Sequence, residues 1–417
     1  MLAGLAPWRV PLVGDLWSFV HDRLAFFEAC ARAGDAVPIR LGPRRVLVLS
    51  DPDLVRDVFV QEARHFTRGI TAAPLRSLVG DGLLLSEGDV WRRQRRDVSP
   101  LFGREHAAEW IPSIEAGATA LVARWRDGQQ RDIHYEMHRL TLDIAARIFL
   151  GVVSDDAGRL HPGLEAILDQ EVLRGTLRLG PLRWPPRSHN ATRALDALVR
   201  QQIALAGSGA AGPFIEALAA TARDRRELRD QLVTFVFTAQ DTTAVALTWL
   251  WHLLSRNERV EAALHDDIAR AGSASPYLEA VLKETLRLFP PVIAQGRQAV
   301  ADAVIAGRSV RRGDVVLFSQ WVIHRDRRWF DEPDAFVPER WHDGLEDRLH
   351  PFAYFPFGGG RRVCVGRELA LAVTAVVVPL IARRFRLVAT GAEPRIWAVI
   401  TPRPRNGLRM RLEQVRP

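Results

Sequence analysis

The sequence predicts a mainly α-helical fold with a smaller β region, and three observations carry that prediction. Apolar residues recur at helical spacing over residues 224–255, where Leu232, Phe235, Val236 and Ala239 share a face. Residues 105–205 read as helical throughout. Strand-like runs are short and sit around turn residues, at 37–49, 304–306 and 315–318. A length of 417 residues could mean two or three domains. Residues 206–213 even have linker composition, Ala-Gly-Ser-Gly-Ala-Ala-Gly-Pro. The chemistry-bearing residues on either side of that stretch point to one site, however, so a single domain over residues 1–417 is expected.

Residues 1–35 predict a leading segment and an amphipathic helix. Residues 37–49 follow as a β-hairpin turning at Gly42-Pro43, and Asp51-Pro52 opens another helix. Residues 66–88 are rich in Gly, Pro and Ser and are long enough to be a functional loop. Trp91 and Arg95 come next, four apart on one helical face. Their indole N–H and guanidinium can both donate to one carboxylate. Arg92, Arg93 and Arg96 fall to solvent or to a partner. Residues 177–190, with Pro181, Pro185 and Pro186, interrupt the helical pattern.

The helix over 224–255 carries Thr238-Ala239-Gln240-Asp241-Thr242-Thr243 in its interior. Asp and Thr compete there for backbone hydrogen bonds, and such a local conflict marks a candidate site. The plainer alternative is polar side chains satisfied by helix carbonyls. Over residues 277–287 a further helix places Glu284 and Arg287 as i, i+3 neighbours, and Phe289-Pro290-Pro291 ends it. Strands at 304–306 and 315–318 flank Gly307 and Gly313. His324 has no second ligand at metal spacing and is read as structural. Residues 398–401 predict a turn.

The chain holds 57 basic and 49 acidic residues, a net charge of +8, with Lys283 as its sole lysine. Acidic residues are interspersed with the arginines, and no basic tail or finger motif occurs. Nucleic acid is therefore excluded as the partner, and an acidic protein is favoured. Only two cysteines are present, Cys30 and Cys364. No disulfide framework follows, which suits a reducing cytoplasm. Cys30, in Phe26-Phe27-Glu28-Ala29-Cys30, reads as helix packing. Arg9, Asp15 and His21 break any leading apolar stretch before the ~20 residues a membrane span requires, so no membrane anchor is expected.

Phe357-Gly358-Gly359-Gly360-Arg361-Arg362-Val363-Cys364-Val365-Gly366 surrounds the second cysteine with glycine. Glycine bends the backbone tightly and lets it approach a flat ligand. An apolar run over residues 369–382 predicts a helix whose positive end faces Cys364, a field that stabilises a thiolate. The stretch resembles the heme-binding signature of the cytochromes P-450, the heme-thiolate monooxygenases. Phe357, Gly360, Arg362, Cys364 and Gly366 match its fixed positions.

That resemblance spans essentially the whole chain, with five signatures in order, and implies a triangular prism of helices around a buried heme b (iron protoporphyrin IX). It makes Cys364 the metal ligand, with Phe357, Gly358 and Gly366 framing the heme. Trp91 and Arg95 would hold one propionate, Arg297 the second, and Arg362 would help neutralise them. Asp241 and Thr242 would be the acid–alcohol pair beside the oxygen site, Asp241 relaying protons from solvent. Ala239 stands where the family has glycine, and Thr238 where it has a small residue, which predicts a tighter local bulge. Glu284 and Arg287 would join Arg340 of Pro338-Glu339-Arg340 in a structural triad. Residues 177–190 would be a lid, and a mostly apolar pocket would draw on residues 69–85, 173–190, 235–239, 292–295 and 398–401.

The resemblance thus implies a bacterial-type monooxygenase that inserts one atom of O2 into a small lipophilic or aromatic substrate. No flavin or iron–sulfur motif occurs, so two electrons must come from a ferredoxin or similar acidic electron-transfer protein, docking near Arg361, Arg367 and Arg92/Arg93. Three alternatives stand beside this reading. A heme-thiolate peroxygenase or isomerase is disfavoured by the intact Asp241-Thr242 pair. A non-catalytic heme binder would be expected to carry an effector domain. A heme-free helical protein would show no thiolate spectrum.

Overall fold

Arg225–Ser255 forms one helix of 31 residues. Asp224 caps it, its carboxylate accepting from the Glu227 N–H at 2.8 Å. The structure is a computed structural model that describes residues 15–69, 75–152, 186–208, 211–271 and 274–415, with side chains from 192 onward in the helix Pro186–Leu205. Leucine, valine, phenylalanine and tryptophan on most sides of the long helix are buried, which suits a helix enclosed by others. The helices Ile133–Leu150, Pro186–Leu205 and Pro276–Leu288 pack against it, and Arg367–Ala382 joins the same hydrophobic core.

The β structure lies to one side. Strands β1 (Ala36–Leu41) and β2 (Arg44–Leu49) form the expected hairpin, with Gly42 at φ 60° in its turn. They extend through β8 (Val315–Phe318) and β5 (Gln295–Ala299) to β3 (Phe66–Thr67), a five-stranded sheet in the order β1-β2-β8-β5-β3. β4 (Gln130–Asp132), β12 (Arg409–Gln414) and β9 (Phe385–Ala389) form a second sheet, order β4-β12-β9. Two antiparallel pairs complete the set, β6 (Ala303–Ile305) with β7 (Arg308–Val310) and β10 (Ile396–Ala398) with β11 (Pro402–Pro404).

The triad anticipated around Glu284 forms and gains two members. The fully buried Glu284 carboxylate accepts from Arg287 at 2.8 and 2.9 Å, from Arg340 Nε at 3.0 Å and from the Trp341 indole at 2.9 Å. The Val337 N–H adds a fifth bond at 3.0 Å. Arg287 also donates to the carbonyls of His324, Pro333 and Ala335, so one buried pair fixes the segment that precedes the cysteine loop. Removing such a carboxylate strands buried guanidinium groups, at a cost of about 3–5 kcal/mol.

Several expectations need correction. Residues 105–205 are not helical throughout: the helix Ala107–Val122 ends in turns and β4 before Ile133–Leu150 begins. Gly128 at φ 74° and Asp132, which caps the next helix, set that break. The strand region around Gly307 and Gly313 contains β7 as well, and β5 leaves no sequence signal because Gln295-Gly296-Arg297-Gln298 lacks an apolar pattern. Most of the lid expected over 177–190 lies outside the described residues, and a helix has already started at Pro186. Cys30 is buried among Phe26 and Phe27 as anticipated, and burial pushes its thiol up to about 12.

Candidate active site

The cysteine loop is built by close backbone approach. The Cys364 N–H donates to the Phe357 carbonyl at 2.9 Å, closing the turn. Gly360 sits at φ 60°, and a Cβ there would lie 2.7 Å from the Phe59 carbonyl oxygen. That carbonyl belongs to a single π-helical turn, Asp57–Gln61, which widens the chain toward the loop. From the other side Arg95 Nη1 donates to the Val363 carbonyl at 2.9 Å, tying the helix Gly88–Val98 to the residue before the cysteine. Gly366 differs from Gly360: a Cβ there would meet nothing within 4 Å.

Cys364 combines two properties that rarely coincide. Surrounding protein desolvates its thiol and raises its pKa, yet the residue has an exposed surface. The two agree if the cysteine faces an internal cleft rather than bulk solvent, and the open space at Gly366 fits that reading. The Gly366 N–H, Arg95 and Arg68 oppose the upward shift without overcoming burial. Burial thus outweighs the nearby donors and cations at the Cys364 thiol. A cation at sulfur would reverse that balance.

An arginine cluster adjoins the loop. Arg297 in β5 is buried beneath the Phe59 ring, its guanidinium 4.7 Å from the ring centre. Burial and the neighbouring Arg68 and Arg362 push its pKa down to about 9. Arg68 is pushed down to about 10 by burial and by Arg362. Arg362 donates to the Ser86 carbonyl at 2.7 Å, pairs with Glu87, and lies over the Trp91 ring at 4.5 Å. Its Nη1 is buried with no hydrogen-bond partner among the described residues. Among the described residues, three guanidinium groups thus lie around one carboxylate, Glu87, and that group is net positive. Such a site suits a buried ligand that brings its own carboxylates.

The long helix contributes a third feature. From Asp230 to Leu254 every residue is buried except Thr238, Ala239 and Thr242. These occupy i, i+1 and i+4, one face of the helix. The Thr242 hydroxyl donates to the Thr238 carbonyl at 3.0 Å, and Thr238 to the Thr234 carbonyl at 2.8 Å. The helix runs on without a break through this patch. Asp241 points elsewhere: its Oδ1 accepts from Arg403 Nη2 at 3.0 Å and lies 3.9 Å from His138 Nε2, all three side chains buried.

The structure therefore brings Trp91, Arg95, Arg297, Phe357, Gly358, Arg362, Cys364 and Gly366 around one loop, and Gly358 would carry a Cβ 3.4 Å from the Gln295 side chain. It turns Asp241 away from the open patch that holds Thr242. Phe235, expected in the pocket, is instead packed with Phe102, Phe149 and Phe214 in the core. Sequence reasoning missed Arg68, Glu87 and Arg403. Arg68 carried only a weak signal, one of two arginines in a Gly/Pro/Ser-rich loop; Arg403 carried none.

The residues fit a heme: a desolvated sulfur facing open space, a glycine beside it whose missing side chain leaves room, and buried cations for two propionates. Comparison with known proteins agrees. The sequence profile of the family described as Cytochrome P-450 matches residues 5–164 and 213–402. The chain is 31% identical to cyclooctatin synthase of Streptomyces melanosporofaciens, over 97% of this chain and 93% of that protein. Cyclooctat-9-en-7-ol 5-monooxygenase of the same organism is also 31% identical, over 92% and 89%. Pentalenene oxygenase of Streptomyces avermitilis is 28% identical, over 99% and 97%. Among solved structures, CYP175A1 from Thermus thermophilus aligns with a TM-score of 0.79 at 27% identity, covering 95% of this chain and 97% of that one. A retinoic acid-bound cyanobacterial CYP120A1 aligns with a TM-score of 0.84 at 24% identity, covering 98% of each, a likeness of fold.

Proposed function

This chain belongs to the cytochrome P-450 family, and from that premise we propose that it is a heme b monooxygenase acting on a lipophilic alkene or alkenol. The observation that carries the proposal is Cys364, desolvated by the protein yet exposed, beside a cluster of buried arginines. The substrate class rests on two relatives whose names specify cyclooctat-9-en-7-ol and pentalenene.

Cys364 Sγ would hold the iron, and Trp91, Arg95, Arg297, Arg362 and Arg68 would hold the propionates. A thiolate-ligated heme, when bound, supplies O2 activation. Thr242 Oγ1 would hold a proton on the open face, and Asp241, which faces Arg403 here, would have to turn toward that face to replenish it. Apolar side chains around that face exclude water and orient the substrate. A ferredoxin supplies two electrons, docking on the exposed Arg92, Arg361 and Arg367, a small contact steered by charge. Residues 1–417 act as one catalytic unit in the reducing cytoplasm. No helix among the described residues is long and apolar enough to cross a membrane.

The test measures product and peroxide per electron consumed, with ferredoxin as donor and pentalenene and cyclooctat-9-en-7-ol among the substrates. Thr242→Ala is expected to keep substrate affinity while product per electron falls and peroxide rises, because a proton-transfer group is lost. Unchanged coupling in Thr242→Ala, or turnover with peroxide alone and none with the donor, contradicts the proposal.

A further inference from the structure

A second group of arginines gathers where the end of the helix Pro186–Leu205 meets the start of the long helix Arg225–Ser255. Arg200, Ile203 and Ala204 from the first, with Arg225, Arg226 and Arg229 from the second, line a cleft of about 310 Å³. No acidic side chain lines it among the described residues. The carboxylates beside it are already engaged. Asp196 accepts from Arg200 Nε and from Arg229 Nε, each at 2.7 Å. Asp230 accepts from Arg229 and from the Asp81 N–H, each at 2.9 Å. Glu227 takes Arg93 and Gln94, and Asp224 caps the long helix. Arg226 reaches only Asp81, at 3.9 Å, and Asp81 is shared with Arg76. Arg225 forms no ion pair among the described residues.

We propose that this cleft is a binding site for a phosphate group, carried either by a free phosphate compound or by a lipid headgroup. Four guanidinium groups line it, and only Asp196 and Asp230 touch them closely, so positive charge is left over. Arg229 is preorganised, because two carboxylates and the Leu78 carbonyl at 3.2 Å fix its guanidinium. Arg225 and Arg226 are exposed and can close on an anion arriving from solvent. Four forks offer more donors than the two oxygens of a carboxylate accept, and a guanidinium matches phosphate oxygens in bidentate fashion. Salt screens the exposed arginines, so affinity depends on several forks acting together.

The experiment is calorimetric titration of inorganic diphosphate into the heme-loaded protein, with chloride holding the ionic strength constant. Heme loading keeps the Arg68, Arg297 and Arg362 cluster occupied. One equivalent is expected to bind saturably. Arg225→Glu/Arg226→Glu is expected to weaken it at least tenfold and to keep the fold, because acidic residues suit the first turn of a helix. Ala204→Trp, which fills the cleft and keeps every charge, is expected to weaken it as well. Arg308→Glu/Arg312→Glu, the same charge change at exposed positions around β7, is expected to bind as the parent does. Vesicles of phosphatidylcholine with and without phosphatidic acid separate the two sources. Retention by phosphatidic acid that Arg225→Glu/Arg226→Glu loses assigns the site to a lipid headgroup, and binding of diphosphate alone assigns it to a free phosphate compound. No saturable binding of either probe, or equal weakening by the two Glu double variants, overturns the proposal.

Discussion

Arg297 shows how a side chain can be a liability until its ligand arrives. It is buried, it faces Arg68 and Arg362, and its guanidinium is pushed down to about 9. Arg297→Leu is expected to have opposite effects on the two forms of the protein. The heme-free protein should hold or gain stability, by about 1 kcal/mol, because a repelled buried cation has gone. The heme-loaded protein should release heme at least tenfold faster, since a counter-charge to a carboxylate has gone. Thermal melting and heme transfer to a scavenger protein check the two halves, and equal destabilisation of both forms contradicts this account. The sequence already exposed Cys364, Arg362 and Arg297, because each lies in or beside a recognisable signature. It could not expose Arg68, Glu87 or Arg403, whose importance comes from partners far along the chain, 275 residues away for Glu87 on Arg362 and 162 for Arg403 on Asp241.

At the scale of elements, the helices were the easier part to read. The long helix begins one residue after its Asp224 cap, and the helix Pro276–Leu288 stops at Phe289-Pro290. β5 was hidden, since it is held by pairing with β8 and β3 and not by its own residues. Between these elements His324 acts as a buried joint. Its Nε2 accepts from the Phe355 N–H at 3.0 Å, two residues before the loop, and burial with Arg287 nearby pushes its pKa down to about 3. An unfolded histidine titrates near 6.5. The folded state excludes the proton, so the stability tied to a neutral His324 is whole above pH 6.5 and is lost as pH falls toward 3, on the order of 5 kcal/mol in total. His324→Gln is expected to lower stability at pH 7 and to flatten the loss between pH 6.5 and 4. Denaturant unfolding at several pH values reads both; an unchanged acid slope would show that another group governs it.

For the whole molecule, contacts tie chain-distant segments together. Arg95, Glu87 and Gln295 approach the cysteine loop, while Arg403 reaches Asp241 on the long helix, from both sides of the glycine-rich stretch at 206–213. That stretch has linker composition but works as a connection: the Gly207 N–H binds the Glu216 carboxylate at 2.9 Å. Fold class was legible from helical periodicity and from the loop signature. The orientation of Asp241 toward Arg403 was not, because a one-dimensional pattern says which residues share a helix face but not what arrives to face them.

The central claim is that Cys364 sulfur binds heme iron. Visible absorption of the heme-loaded, reduced and carbon monoxide-treated protein tests it most directly. The predicted result is a strongly red-shifted Soret band that is lost in Cys364→Ala. An unshifted band, as an imidazole ligand would give, or an unaltered spectrum in Cys364→Ala, would contradict it.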